Sequence, residues 1–154
     1  MDSDSNKSVL DLDGSGKIPT SFWVIAALAL LWNLMGLVAF FYDMTISEQA
    51  IAALNPGMQE LYRTTPIISK IGYGLATICG VIGCILLLIR KRVALIVFVA
   101  SLLGVVIQNI ANFTMTNAWE VIGTSGLPLL LLVIAFAVFL IRYTSKAIDN
   151  GWVK

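Results

Sequence analysis

Five side chains in an otherwise apolar chain have the chemistry to recognise a ligand: Trp32, Asn33, Gln108, Asn109 and Asn112. A carboxamide donates and accepts hydrogen bonds without carrying charge, and an indole offers a flat face for stacking. Together they suit a neutral, hydroxyl-rich solute. Asn33 shares a helical stripe with Ala26, Ala29 and Gly36, while Ser101, Gly104, Gln108 and Asn112 fall on one face of a second helix, with Asn109 about 100° round. The same amides could instead bond helix to helix, each bond contributing on the order of 0.6 to 2 kcal/mol. Both uses stand open from the sequence.

Other chemistries lack their residues. The chain has no His, the commonest metal and proton-shuttle ligand. No charge falls within 21–42, 71–89, 93–119 or 121–141, so a proton relay or ion-coupled site has no carrier there. Cys79 and Cys84 sit five residues apart on one helix, pointing to different sides, which makes them packing residues and not a redox pair. No enzymatic activity, cofactor or metal is expected. The stretch DLDGSGKI, 11–18, imitates two motifs. As a calcium loop counted from Asp11, it places Pro19 at position nine and Phe22 where a bidentate Glu is needed. As a phosphate loop, it has Asp11 in place of the first Gly and Ile18 in place of Ser or Thr. Calcium is therefore not an expected partner, and a net charge of +1 gives no field for nucleic acid.

The elements that must position the amides follow from hydropathy. Of the 154 residues, 58% are hydrophobic and 12% charged, and the mean hydropathy of +0.90 is far above that of a soluble domain. A helix needs roughly 20 apolar residues to cross a ~30 Å hydrocarbon core. Four stretches meet that need, at about 21–42, 68–89, 93–115 and 124–143. The fold class read from this is all-α, an integral membrane four-helix bundle forming one domain over 18–152, preceded by a polar and acidic tail, 1–17, expected to be mobile. The last helix is expected to continue to Asp149 or Asn150, with Gly151 as its stop.

Placing both termini in the cytoplasm puts Lys7, Lys17, Arg90, Lys91, Arg92, Arg142, Lys146 and Lys154 inside and only Arg63 and Lys70 outside. That asymmetry fixes the expected orientation, with Arg90, Lys91 and Arg92 as its main determinants. The first outer loop, 43–66, carries a capping-box pattern from Thr45 to Glu48 and a break at Asn55-Pro56-Gly57. It reads as two short amphipathic helices lying along the membrane surface or capping the bundle. Gly72, Ala76 and Gly80 recur at four-residue steps, with Gly83 alongside. Small residues so spaced form a seam where two helices approach closely, within one chain by default or between copies otherwise.

The segments FWVIAALALLWNLMGLVAFF, LLLIRKR and SLLGVVIQNIANF together resemble a family of small bacterial four-helix inner-membrane proteins often labelled sugar transporters. The resemblance covers roughly 18–152. It implies a multi-pass protein of the bacterial cytoplasmic membrane and supplies no catalytic residue. One copy of four helices is small for alternating access, so a permeation path is expected to need a dimer with the Asn33 and Gln108 faces meeting at its axis. Two functions are therefore expected. The first is a non-enzymatic accessory or assembly partner, acting through helix packing or oligomerisation with its own copies or another membrane protein. The second is a facilitator of small neutral solutes such as sugars.

Overall fold

The computed structural model describes residues 18–154. The readings made for 1–17, including the loop from Asp11 and the charges of Lys7 and Lys17, lie outside the described residues. Among the described residues every element is helical: α1 Thr20–Thr45, α2 Glu48–Ala52, α3 Pro56–Thr64, α4 Ile67–Leu88, α5 Val93–Met115, α6 Ala118–Ile122 and α7 Leu127–Asp149. Four helices among the described residues are long and apolar enough to cross a membrane: α1, α4, α5, and α7 with the chain leading into it from Ala118. This is a multi-pass, all-helical membrane protein.

Helix ends show why the segments stop where they do. Pro19 precedes α1, its fixed φ of −67° suiting an entry. α1 runs three residues past Tyr42, and the Thr45 hydroxyl donates to the Phe41 carbonyl inside its last turn. This corrects the capping box. Because Thr45 is still helical, the cap of α2 passes to Ser47, whose Oγ accepts from the Ala50 amide at 3.2 Å. Asn55 caps α3 with Pro56 in the first turn, as a proline lacking an N–H allows. Gln59 then stitches the two short helices together by donating to the carbonyls of Ala52 and Leu54.

α7 begins at Leu127, not near 124, because a 3-10 turn over Gly123–Gly126 intervenes and Gly123 adopts a φ of 60°. At its other end Gly151, at φ 71°, reverses the chain, and the Trp152 amide donates to the Ala147 carbonyl. The last residues then fold back beneath the bundle. Lys154 donates its amide to the Arg90 carbonyl, Arg92 donates to Lys154, and the Arg90 guanidinium donates to the Trp152 carbonyl at 2.6 Å. These bonds hold Arg90 at a φ of 62°, a conformation that costs a non-glycine residue of order 1 kcal/mol or more. They also seat Val153 fully buried in a cluster with Phe22, Leu87, Phe98 and Leu140.

α4 occupies the centre. It packs along α5 as an antiparallel hairpin and receives α1 on its other side, while α7 packs on α5. Its closest approach to α5 is at glycines: a Cβ added to Gly104 would lie 2.5 Å from the Ala76 amide nitrogen and 2.7 Å from the Gly72 carbonyl oxygen. Gly72, Ala76, Gly80 and Gly83 are all buried within the chain, against α5, Asn33 of α1 and the Phe98 ring. The bundle is not closed. α1 and α7 scarcely touch along their lengths and meet mainly through rings near the Arg90 turn, where Phe22 lies 6.3 Å from Tyr143 and 6.1 Å from Trp152. Further along, Trp32 meets Phe136 at 5.3 Å.

Candidate solute-binding cavity

The gap between α1 and α7 widens into a cavity of about 570 Å³, within the ordinary range for small-molecule sites. It reaches from Trp32, Phe98 and Leu140 near mid-helix to Asn112, Ile122 and Gly126 at the end bearing the short helices. Trp32, Asn33, Gln108, Asn109 and Asn112 all line it. The Asn33 and Gln108 faces thus meet within one chain.

The five residues are not equivalent. Asn33 is largely committed to packing. Its Nδ2 donates to the Ala29 carbonyl at 2.8 Å and to the Cys84 sulfur at 3.4 Å. Its Oδ1 rests on Gly80, where any Cβ would collide with it. Asn112 accepts the Ser69 hydroxyl through Oδ1 at 2.5 Å, which ties α5 to α4 and leaves Nδ2 available. Asn109 donates Nδ2 to the Val105 carbonyl of its own helix at 2.7 Å, leaving Oδ1 available. Gln108 is half-buried, and among the described residues neither end of its carboxamide has a protein partner. In hydrocarbon an unpaired amide costs roughly 1 to 3 kcal/mol, so Gln108 requires water or a ligand in the cavity.

The groups available on α5 are therefore acceptors at Gln108 and Asn109 beside donors at Gln108 and Asn112, and the Trp32 indole and Tyr73 hydroxyl add donors from α1 and α4. Hydroxyls, which both donate and accept, complement this set. Among the described residues none that lines the cavity is charged. Thr77 and Ser101 also line the cavity, but their hydroxyls donate to backbone carbonyls, Thr77 to Tyr73 at 3.0 Å and Ser101 to Ala76 at 2.6 Å. Ser101 with Ala76 is one of the interhelical bonds expected of polar groups in a bundle. The residues that sequence reasoning missed form the opposite wall: Leu129, Leu130, Val133, Phe136, Ala137 and Leu140 of α7. Their spacing marks one helical face, but nothing local in so uniformly apolar a stretch distinguishes a cavity face from a lipid face.

The short helices shape the wide end. Gly57 of α3 lies against Val121 of α6, and Ile122 at the end of α6 enters the lining. The Tyr62 hydroxyl donates to Asp43 Oδ1 at 2.6 Å, binding α3 to the end of α1. That hydrogen bond, together with partial burial and the carboxylate's charge, pushes the Tyr62 phenol up to about 12. Arg90, Lys91 and Arg92 stand at the other end, away from the cavity lining. Among the described residues no cluster of His, Cys, Asp and Glu could hold a metal ion. No protein-family model, curated protein or solved structure matches this chain.

Proposed function

We propose that this protein binds a small neutral, hydroxyl-bearing molecule in the cavity between α1, α4, α5 and α7 and facilitates its movement across the membrane. The observation that carries this reading is the convergence of Gln108, Asn109 and Asn112 on one cavity where, among the described residues, Gln108 has no partner and no lining residue is charged. The role first expected, an accessory or assembly partner, is favoured less, since the Gly72, Ala76, Gly80 and Gly83 seam packs within the chain. The orientation proposed is the one with the Arg90–Arg92 turn in the cytoplasm of a bacterial inner membrane. It rests on the asymmetry of Lys and Arg and on the resemblance drawn from the sequence. The cavity then opens toward the outer face, capped by the short amphipathic helices.

Proteoliposomes loaded with purified protein are expected to take up radiolabelled neutral sugars or polyols faster than empty vesicles. The rate should be insensitive to membrane potential, because neither solute nor lining is charged. Equal uptake by protein-containing and empty vesicles across a panel of such solutes would remove the transport reading.

A further inference from the structure

We propose that the molecule bound in the cavity is a neutral amphiphile, with a hydroxylated head on the amide wall and an apolar chain on the α7 wall, entering sideways from the bilayer between α1 and α7. This rests on the preceding reading and names its substrate class. A free sugar presents hydroxyls all round its ring, and each one desolvated without a partner is unfavourable. The cavity can meet such hydroxyls from α1, α4 and α5, where Trp32, Tyr73 and the amides stand, but not from α7. Gln108, Asn109 and Asn112 supply hydrogen bonds from α5, whereas Val133, Phe136 and Ala137 on α7 supply none. A ligand matched to both walls is itself two-sided. The lining, uncharged among the described residues, disfavours phosphate, carboxylate and ammonium heads, which would find no counter-charge there in a medium of low dielectric.

The route of entry follows from the helices that flank the cavity. Met35 of α1 and Leu129 of α7 both line it, yet they are 54% and 63% exposed, so the cavity wall and the lipid-facing surface are continuous at these residues. Met35 lies well inside α1, which places that edge at membrane depth and not at a loop. The Trp32–Phe136 contact closes the slot toward the Arg90 end, so the opening lies between that ring pair and the 3-10 turn at Gly123–Gly126. A chain threaded through it exchanges lipid contact for contact with α7 at little cost in apolar burial. The head gains the unpaired carboxamide of Gln108.

The test uses the full chain in lipid nanodiscs and an alkyl glucoside carrying a photoactivatable diazirine on its alkyl chain, with labelled residues mapped by mass spectrometry. Labelling is expected at Val133, Phe136 and Ala137. It should fall at least several-fold with excess non-reactive alkyl glucoside, but not with the same concentration of glucose. Ala137→Trp, which fills the slot, should abolish the protectable labelling, and Leu131→Trp on the exposed face should leave it intact; monodispersity on size exclusion shows that both variants fold. Any of four results would overturn the amphiphile. Labelling confined to outward residues such as Leu131 would show ordinary surrounding lipid. Equal protection by glucose would show a free-solute site and leave the broader function standing. Equal labelling by an alkyl carboxylate probe would show that the site does not select a neutral head. Absence of any cavity labelling together with absence of solute uptake would remove both readings at once.

Discussion

Gly104→Ala is expected to destabilise the protein by about 2 to 3 kcal/mol, the upper part of the range for overpacking a tight core. The added methyl would stand 2.5 Å from the Ala76 amide nitrogen and 2.7 Å from the Gly72 carbonyl oxygen. Both are backbone atoms, so no side-chain rotation relieves the contact, and α4 and α5 must separate. Separation would also stretch the hydrogen bonds from Ser101 to Ala76 and from Ser69 to Asn112. Gly36→Ala provides the contrast: its methyl would meet Thr77 Cγ2 at an ordinary 3.7 Å. Replacing a helical glycine there should be neutral or stabilising by up to about 1 kcal/mol. Unfolding in detergent micelles, followed by circular dichroism, measures both. Equal stability of Gly104→Ala and wild type would mean that the α4–α5 crossing is not built on glycine contact.

Gln108→Leu is expected to separate function from stability. Leu is close to Gln in size, so the fold should hold, and removing an amide with no protein partner should leave stability unchanged or slightly raised. Ligand binding should fall by about 5- to 150-fold, the equivalent of losing 1 to 3 kcal/mol of hydrogen bonding. Asn33→Leu should behave oppositely. Its amide bonds Ala29 and Cys84 and its oxygen fits against Gly80, where a methyl is bulkier. That variant should lose about 1 kcal/mol or more of stability, with ligand affinity changed less than in Gln108→Leu. Thermal unfolding and equilibrium binding on the same preparations decide it, and a Gln108→Leu protein with undiminished binding would place the ligand elsewhere.

The four long helices were legible because charge is absent over runs that match the membrane's thickness, a constraint written into consecutive residues. The polar stripe on α5 was legible for the same reason: Gln108 and Asn112 stand out against Val, Ile and Leu. The difference between Asn33 and Gln108 was not. Both are amides in hydrocarbon, and only the positions of Gly80 and Cys84, some fifty residues away in sequence, make one a packing group and leave the other free. The α7 wall was hidden by uniformity, since Leu129 through Leu140 is apolar on every side. The turn at Arg90 looked like a topology signal alone. Its strained φ and its bonds to Trp152 and Lys154 depend on a chain end that returns from the far side of the bundle, and local spacing does not encode that return. The shift of the α2 cap from Thr45 to Ser47 is smaller and instructive. α1 continued into the pattern that suggested the cap, so the earlier helix took the residue first.

Gln108→Cys, in a chain whose Cys79 and Cys84 are replaced by Ala, gives the most direct measurement of whether the amide face lines a wet, ligand-accepting cavity. A thiol reacts with a small, water-soluble, uncharged reagent only where water reaches it and the thiolate can form. Cys at position 108 should react at least about tenfold faster than Cys at the lipid-facing position 131, and a saturating neutral hydroxylated ligand should slow it. A rate at 108 as low as that at 131, unchanged by any such ligand, would mean that the amides lie in a dry interior and that no solute site exists there.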